Sequence, residues 1–319
     1  MSRPHREGMR HLSEPARRRH KVRNLLQSAF LSAGLLGLLA LSAFLLTGPA
    51  GVFWVLVGGV VGLILAPRLP TQAAMRYFGA RRIDPHDILP VAKAMERLAA
   101  KAGLSAVPAL YYLPDTGMNS FAIGWREDAA VVLTDGMLRG LSLREIVAVL
   151  AHEIAHIAQN DLGIMQLADT VSRMTRLMAF VGLAVAVVSI PAALFGDGRV
   201  PWFGVLILIF APTFAGLLQF ALSRTREFEA DLEAAALTGD PAGLAFALGK
   251  IDRIVNATWR RLVLARGDQP SLLRSHPPTV ERIERLRSLE GNSEQPWGEQ
   301  QIGPLPPMLP RLRRPRIWW

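Results

Sequence analysis

The sequence contains no cysteine and has little charge. The missing cysteines exclude disulfide bonds, iron–sulfur clusters, a thiol nucleophile and cysteine-ligated zinc fingers. Any metal ion must therefore be held by histidine, aspartate and glutamate. Only 19% of the 319 residues are charged and 50% are hydrophobic, whereas a soluble domain has about 25% charged residues. This composition favours a membrane protein and excludes disorder of the whole chain.

Two long stretches lack charge almost entirely, and each is long enough for a pair of helices. They occupy residues 25–67 and 177–223, with a short break inside each stretch. A hydrocarbon core about 30 Å thick requires roughly 20 apolar residues in a helix. The sequence therefore predicts four transmembrane helices in two hairpins, in preference to buried helices of a large soluble core.

Basic residues flank both hairpins, whereas the loops inside them hold a single basic residue, Arg199. The positive-inside rule then places both termini and the region between the hairpins in the cytoplasm. The net charge of +10 is explained by this topology and by contact with anionic lipid headgroups. It requires no nucleic acid partner, and no nucleic-acid-binding pattern is visible.

Outside the hairpins, the pattern is that of a soluble α+β region. Short apolar runs predict strands at 107–113 and 129–134, and 119–124 is a candidate edge strand. Residues 142–160 predict a helix that Ser142 caps, because a glutamate follows three residues later.

The sharpest motif is His152-Glu153-Ile154-Ala155-His156. Side chains four residues apart lie on one face of a helix, so both imidazoles can bind one metal ion. Glu153 is placed to act as general base toward the attacking water. Apolar neighbours surround the motif, which makes two solvated surface histidines the poorer interpretation.

A catalytic zinc ion usually has three protein ligands. Glu227 and Asp231 are four residues apart and project from one helix face. We predict that Glu227 is the third ligand and that Asp231 accepts a ring N–H from a ligand histidine; Glu229 is the weaker candidate. Glu227 follows the predicted membrane exit at Ser223 by about 6 Å of helix, so we expect the metal close to the cytoplasmic headgroups.

Four segments together resemble the HtpX family of membrane-embedded zinc peptidases, relatives of the CAAX prenyl endopeptidases: residues 119–122, 143–161, 223–231 and 276–283. The resemblance covers roughly residues 25–290. It implies a multi-pass endopeptidase of the bacterial inner membrane that degrades damaged or misassembled membrane proteins. It also implies one zinc ion per chain, held by His152, His156 and Glu227, with Glu153 as the catalytic base.

The resemblance assigns two further regions. Asn119, Ser120, Phe121 and Ala122 match an edge strand on which the substrate backbone is laid. Ser120 stands where the family more often has a small apolar residue. His276 lies in a His-Pro motif beside the site, where it would stabilise the oxyanion, act as an auxiliary ligand or anchor the last helix.

The predicted fold class is therefore α+β and mainly helical, with four transmembrane helices and a cytoplasmic zincin-like catalytic domain that contains a small β-sheet. Its predicted parts are a basic cytoplasmic N-terminal arm (1–24), a first transmembrane hairpin (25–67), the first part of the catalytic domain (68–176), a second hairpin (177–223), the second part of the catalytic domain (224–290) and a disordered proline- and arginine-rich tail (291–319).

Three alternatives to this zinc endopeptidase remain. An intramembrane protease is disfavoured because charged Arg144, Glu145 and Asp161 flank the motif. A proteolytically silent, zinc-stabilised scaffold or sensor is disfavoured because a purely structural site has no use for the base Glu153. A protease of prenylated or lipid-linked peptides stays open. The expected substrates are otherwise membrane proteins or unfolded polypeptides.

Overall fold

The computed structural model describes residues 14–65, 71–195, 202–263 and 279–289. Its helices are Glu14–Thr47 (α1), Pro49–Leu65 (α2), Thr71–Tyr77 (α3), Leu89–Lys101 (α4), Asp135–Gly140 (α5), Leu143–Ala158 (α6), Asp161–Phe195 (α7), Trp202–Thr238 (α8), Pro241–Val263 (α9) and Thr279–Leu289 (α10). Its strands are Arg81–Arg82 (β1), Ala109–Leu113 (β2), Ser120–Trp125 (β3) and Asp128–Thr134 (β4). The predicted class, mainly helical with a small sheet, is confirmed.

Within the described residues, three helical segments are long and apolar enough to cross a membrane. They are Leu26–Thr47 of α1, Asp161–Val188 of α7 and the whole of α8. Helix α2 is apolar throughout but has only 17 residues, which is short for a hydrocarbon core that requires roughly 20. The chain is thus a membrane protein by length and composition of its helices, and the count of four spans stays a prediction.

The helices do not end where the predicted membrane spans end. Helix α7 begins at Asp161, well before the predicted span begins at residue 177. Helix α8 continues past residue 223 to Thr238, which agrees with the helix expected to carry Glu227 and Asp231 out of the membrane. The charged residues near these points mark where apolar sequence ends, but Arg and Glu are good helix formers and do not break a helix. Apolar length therefore defined the spans but not the helices that contain them.

The chain divides into two compact units. The helical unit comprises residues 20–68 and 163–226, and the sheet unit comprises residues 1–19, 69–162 and 227–319. In the helical unit, α1, α7 and α8 share a small apolar cluster whose buried members are Leu35, Leu39, Ala168, Val171, Ala215 and Leu222.

The sheet unit is built on a four-stranded mixed sheet in the order β1-β2-β4-β3. Strand β2 runs parallel to β4, and the outer strands β1 and β3 are antiparallel to their neighbours. Alternate residues of β4 face opposite sides. Val131 and Leu133 join the main core with α4 and α6, whereas Ala130 and Val132 pack with Met75 of α3. Strand β3, the last in the strand order, lies at an edge of the described sheet.

Helix α6 carries the motif and has a well-defined start and end. The predicted capping box is present: Ser142 N donates to Glu145 Oε2 at 2.7 Å, and the Ser142 hydroxyl accepts from the Glu145 backbone N–H. Lys250 Nζ of α9 also lies 2.7 Å from Glu145 Oε2. At the other end, Asn160 adopts a left-handed φ of 56°, which lets the chain leave α6 and begin α7 at Asp161. The contacts of Ser142 and Glu145 therefore hold the first turn of α6, and the turn at Asn160 ends the helix.

Candidate active site

The two histidines of the motif lie on α6, and their Nε2 atoms lie close together. His152 Nε2 and His156 Nε2 are 3.1 Å apart, and the two rings are nearly perpendicular. The His152 side chain is buried and that of His156 is nearly so. Spacing along α6 has thus directed two imidazole nitrogens at one buried point.

Glu227 of α8 faces these two nitrogens. Its Oε2 lies 3.4 Å from His152 Nε2, and its Oε1 lies 3.6 Å from His156 Nε2. One potential ligand atom from each of the three residues lies within 4.8 Å of the others. The structure therefore brings the three predicted ligands together in a group that could hold a metal ion.

Each histidine presents its second ring nitrogen, Nδ1, to a different buried carboxylate. Asp231 Oδ1 lies 3.0 Å from Nδ1 of His152, and its role as acceptor of that ring N–H stays a prediction. Asp161 Oδ2 lies 2.9 Å from Nδ1 of His156, a partner that the sequence did not predict. Burial lowers the pKa of His156, but hydrogen bonds to Asp161 and Glu227 outweigh it and raise that pKa to about 10.

These contacts explain why the group suits a divalent cation. Carboxylates beside both Nδ1 atoms favour the tautomer in which Nδ1 carries the proton. In that neutral tautomer both Nε2 lone pairs and the Glu227 carboxylate direct electron pairs at the same buried point, so a bound cation would take the place of the additional proton on His156. Ligands placed tetrahedrally about 2.0–2.1 Å from zinc lie about 3.3 Å from one another. The donor set and its spacing therefore fit a zinc ion.

Arg282 of α10 contributes a positive charge to the site and was not predicted. Its Nε and Nη2 each lie 2.7 Å from an oxygen of Asp231, and its Nη1 lies 2.9 Å from Glu227 Oε2. Arg282 is only 4% exposed. Burial lowers its pKa, yet Asp231 and Glu227 outweigh burial and hold that pKa above its ordinary value. One guanidinium thus bridges two buried carboxylates next to the imidazoles and offsets one of their two negative charges.

We expect Arg282→Met to destabilise the sheet unit strongly. Removing the guanidinium leaves Asp231 and Glu227 buried without their cation, and breaking a buried pair in this way costs about 3–5 kcal/mol. Thermal unfolding of the purified protein in detergent measures the loss as a lower melting temperature.

Arg285→Met on the same helix is the matched control. Arg285 has 56% of its side chain exposed, where it pairs with Glu281, and an exposed pair contributes about 0–1 kcal/mol. Arg285 also stacks its guanidinium on the Phe228 ring. We therefore expect Arg285→Met to lower the melting temperature slightly, and much less than Arg282→Met. Equal melting temperatures for the two variants would contradict the charge-balancing role of Arg282.

Glu153 lies beside this group and contacts the edge strand. It is 7% exposed, and its Oε1 accepts a hydrogen bond of 2.7 Å from the Ser120 hydroxyl of β3. Of the predicted substrate strand, Asn119 directly precedes β3, and Ser120, Phe121 and Ala122 form its first residues. The structure thus joins the predicted base to the predicted substrate strand. His276 lies outside the described residues.

Two buried imidazoles and a carboxylate, with a glutamate next to the first imidazole, are typical of metalloproteases built on the HExxH motif. In this chain the group occurs together with helices long enough to cross a membrane. Fold and site together therefore point to the class of membrane metalloproteases.

Comparison with known proteins identifies the family. Residues 86–290 match the description "Peptidase family M48". The "Protease HtpX homolog" of Methylibium petroleiphilum is 31% identical over 287 residues, which cover 83% of this chain and 98% of that protein. The "Protease HtpX homolog" of Acaryochloris marina is 33% identical, with 81% and 94% covered. The chain belongs to peptidase family M48 and, within it, to the HtpX proteases.

Some solved structures are also similar to the chain. Among them, "Crystal Structure of S. mikatae Ste24p" aligns with 84% of this chain and 66% of that chain, at 20% identity and a TM-score of 0.46.

Proposed function

We propose that the protein is a zinc-dependent endopeptidase of the bacterial inner membrane that hydrolyses peptide bonds in damaged or misassembled membrane proteins. The observation that carries the proposal is the meeting of His152, His156 and Glu227 around one buried point, with the buried Glu153 directly after His152 in α6. A base next to the ligands is required for hydrolysis and has no purpose in a purely structural site.

In this proposal each side chain has a separate task. His152, His156 and Glu227 would hold the zinc ion. Bound zinc supplies a Lewis acid that polarises the scissile carbonyl and lowers the pKa of water. Glu153 takes the proton of the attacking water and returns it to the leaving amine.

The neighbouring carboxylates and the arginine set up the ligands. Asp231 and Asp161 keep the two imidazoles in the ligating tautomer and orientation. Arg282 offsets the negative charge of Asp231 and Glu227. This arrangement keeps the ligands oriented before substrate arrives.

The edge strand β3 supports a polypeptide substrate. An extended peptide that pairs with an edge strand is bound through its main chain, whatever its sequence, and alternate side chains add selectivity. Main-chain recognition suits segments that have lost their native structure and expose unpaired backbone. This supports unfolded or misassembled proteins as the substrate class.

The proposed topology places both termini and the site in the cytoplasm. It rests on the basic residues that flank the apolar stretches and on the nearly uncharged loops between the helices of each pair. The same basic residues would contact anionic lipid headgroups.

The test uses the full-length protein in detergent with added zinc. We expect it to cleave an unfolded polypeptide such as casein, and slowly itself, with both activities lost in a chelator and regained when zinc is restored. If zinc raises the melting temperature but no product forms under any condition, the protein is a zinc-stabilised scaffold and the proposal fails.

A further inference from the structure

Ser120 occupies the point where the predicted substrate strand meets the predicted base. Side chains alternate along β3. Phe121 packs on the face that contains Met75, whereas Ala122 packs in the main core with α6. Ser120 shares the face of Ala122, and its hydroxyl donates to Glu153 Oε1 at 2.7 Å. The side chain of Ser120 is therefore directed at the base.

The backbone of the same residue faces the other way, toward the outer edge of the described sheet. The Thr134 backbone N–H of β4 donates to the Asn119 carbonyl at 3.2 Å, so the polar backbone groups of Asn119 face β4. Backbone groups of successive residues in a strand point to opposite sides. The N–H and C=O of Ser120 therefore face away from β4, where an added substrate strand would pair.

We propose that Ser120 is a positioning residue that orients the Glu153 carboxylate relative to the bound substrate backbone. The inference rests on the proposed function. A glutamate side chain rotates about three bonds, and a short hydrogen bond to a charged acceptor restricts that rotation. The serine side chain has one such torsion and is anchored in a strand paired with β4. Strand β3 thus places the substrate backbone and the base in one fixed relation.

The hydroxyl takes no part in bond making. Ser120 keeps its proton while Glu153 Oε1 accepts the hydrogen bond, which leaves Glu153 Oε2 for the proton of the attacking water. That proton then passes to the leaving amine. Ser120 therefore contributes to the rate through the geometry of Glu153 alone.

The experiment compares Ser120→Ala, Ser120→Thr and the control Ser105→Ala in the zinc-loaded full-length protein. Ser105 is exposed on the loop before β2 and has no assigned role. For Ser120→Ala we expect kcat about tenfold lower, because a misplaced base slows the chemical step, while KM and zinc content stay unchanged. Ser120→Thr retains the hydroxyl and suits a strand, so it restores most of the lost kcat. Ser105→Ala matches wild type.

Several outcomes overturn the inference. An unchanged or higher kcat in Ser120→Ala shows that the hydroxyl does not orient the base. A loss that appears in KM, or one that threonine does not restore, indicates a role in packing or substrate binding. Complete loss of cleavage in Ser120→Ala would make the hydroxyl a reacting group. If the wild-type protein binds zinc but cleaves nothing, the proposed function is rejected and this inference with it. If the wild-type protein is active and Ser120→Ala is equally active, only the inference is rejected.

Discussion

Glu153→Gln is expected to stop peptide hydrolysis while the protein keeps its zinc. The amide has nearly the same shape as the carboxylate but cannot take the proton of the attacking water, and a positioned base contributes about 10²–10⁴-fold to a rate. Zinc binding should persist because Glu153 is not among the predicted ligands. Cleavage of casein and zinc content by elemental analysis, measured on the same sample, test the prediction.

The control for this substitution is Glu96→Gln, the same chemical change at an exposed residue of α4. We expect its cleavage rate to equal that of wild type. Retained proteolysis in Glu153→Gln would remove Glu153 from the mechanism. Loss of zinc together with activity would instead show that Glu153 helps to build the metal site.

Glu227→Ala is expected to lose the metal itself. Two imidazoles would remain where a catalytic zinc usually has three protein ligands. Loss even of a residue that only supports a ligand weakens metal binding by about 10–100-fold, so we expect loss of a ligand to weaken it by more than about 100-fold. Elemental analysis after removal of free zinc should find almost none bound, and proteolysis should fall with the metal.

Glu229→Ala is the matched control, since Glu229 lies on the same helix and is also buried. It was the weaker candidate ligand, and we expect this variant to retain zinc. Melting curves of both variants show whether the sheet unit is still folded. Normal zinc content in Glu227→Ala would reject Glu227 as a ligand, and zinc loss confined to Glu229→Ala would transfer that role to Glu229.

The residues around the candidate metal site were predictable where their placement depends only on spacing along one helix. His152 and His156 share a face of α6 because they are four residues apart, and Glu227 and Asp231 share a face of α8 for the same reason. Their convergence was predicted from the ligand count of zinc. The structure brings them together, while their role as ligands stays a prediction for the zinc measurements.

Asp161 and Arg282 could not be predicted from spacing. Asp161 follows His156 by five residues but lies beyond the end of α6, and only the left-handed turn at Asn160 brings it back to the ring. Arg282 lies in a helix in which Glu and Arg alternate, and sequence does not distinguish it from the exposed Arg285. Its burial depends on how α10 packs beside Asp231 and Glu227.

Helix α9 was not predicted at all. Its first turn contains Gly243, and Gly249 interrupts its interior, and both glycines weaken a helical pattern, although Pro241 suits the first helical position. In the folded protein Leu244 and Leu248 are buried in the main core, and Lys250 pairs with Glu145 of α6. Tertiary packing therefore outweighed weak local propensity.

From the sequence alone one can determine that the chain is a membrane protein, that it carries an HExxH motif on a helix, and which acidic residues share a face. These features depend on composition and on periodicity within a few turns. Only the tertiary structure decided which carboxylate faces each imidazole, that Arg282 is buried between two of them, and that the Ser120 hydroxyl reaches Glu153. Apart from the short return of Asp161 to His156, these contacts join residues far apart in the chain, and their geometry exists only when the helices and the sheet pack together.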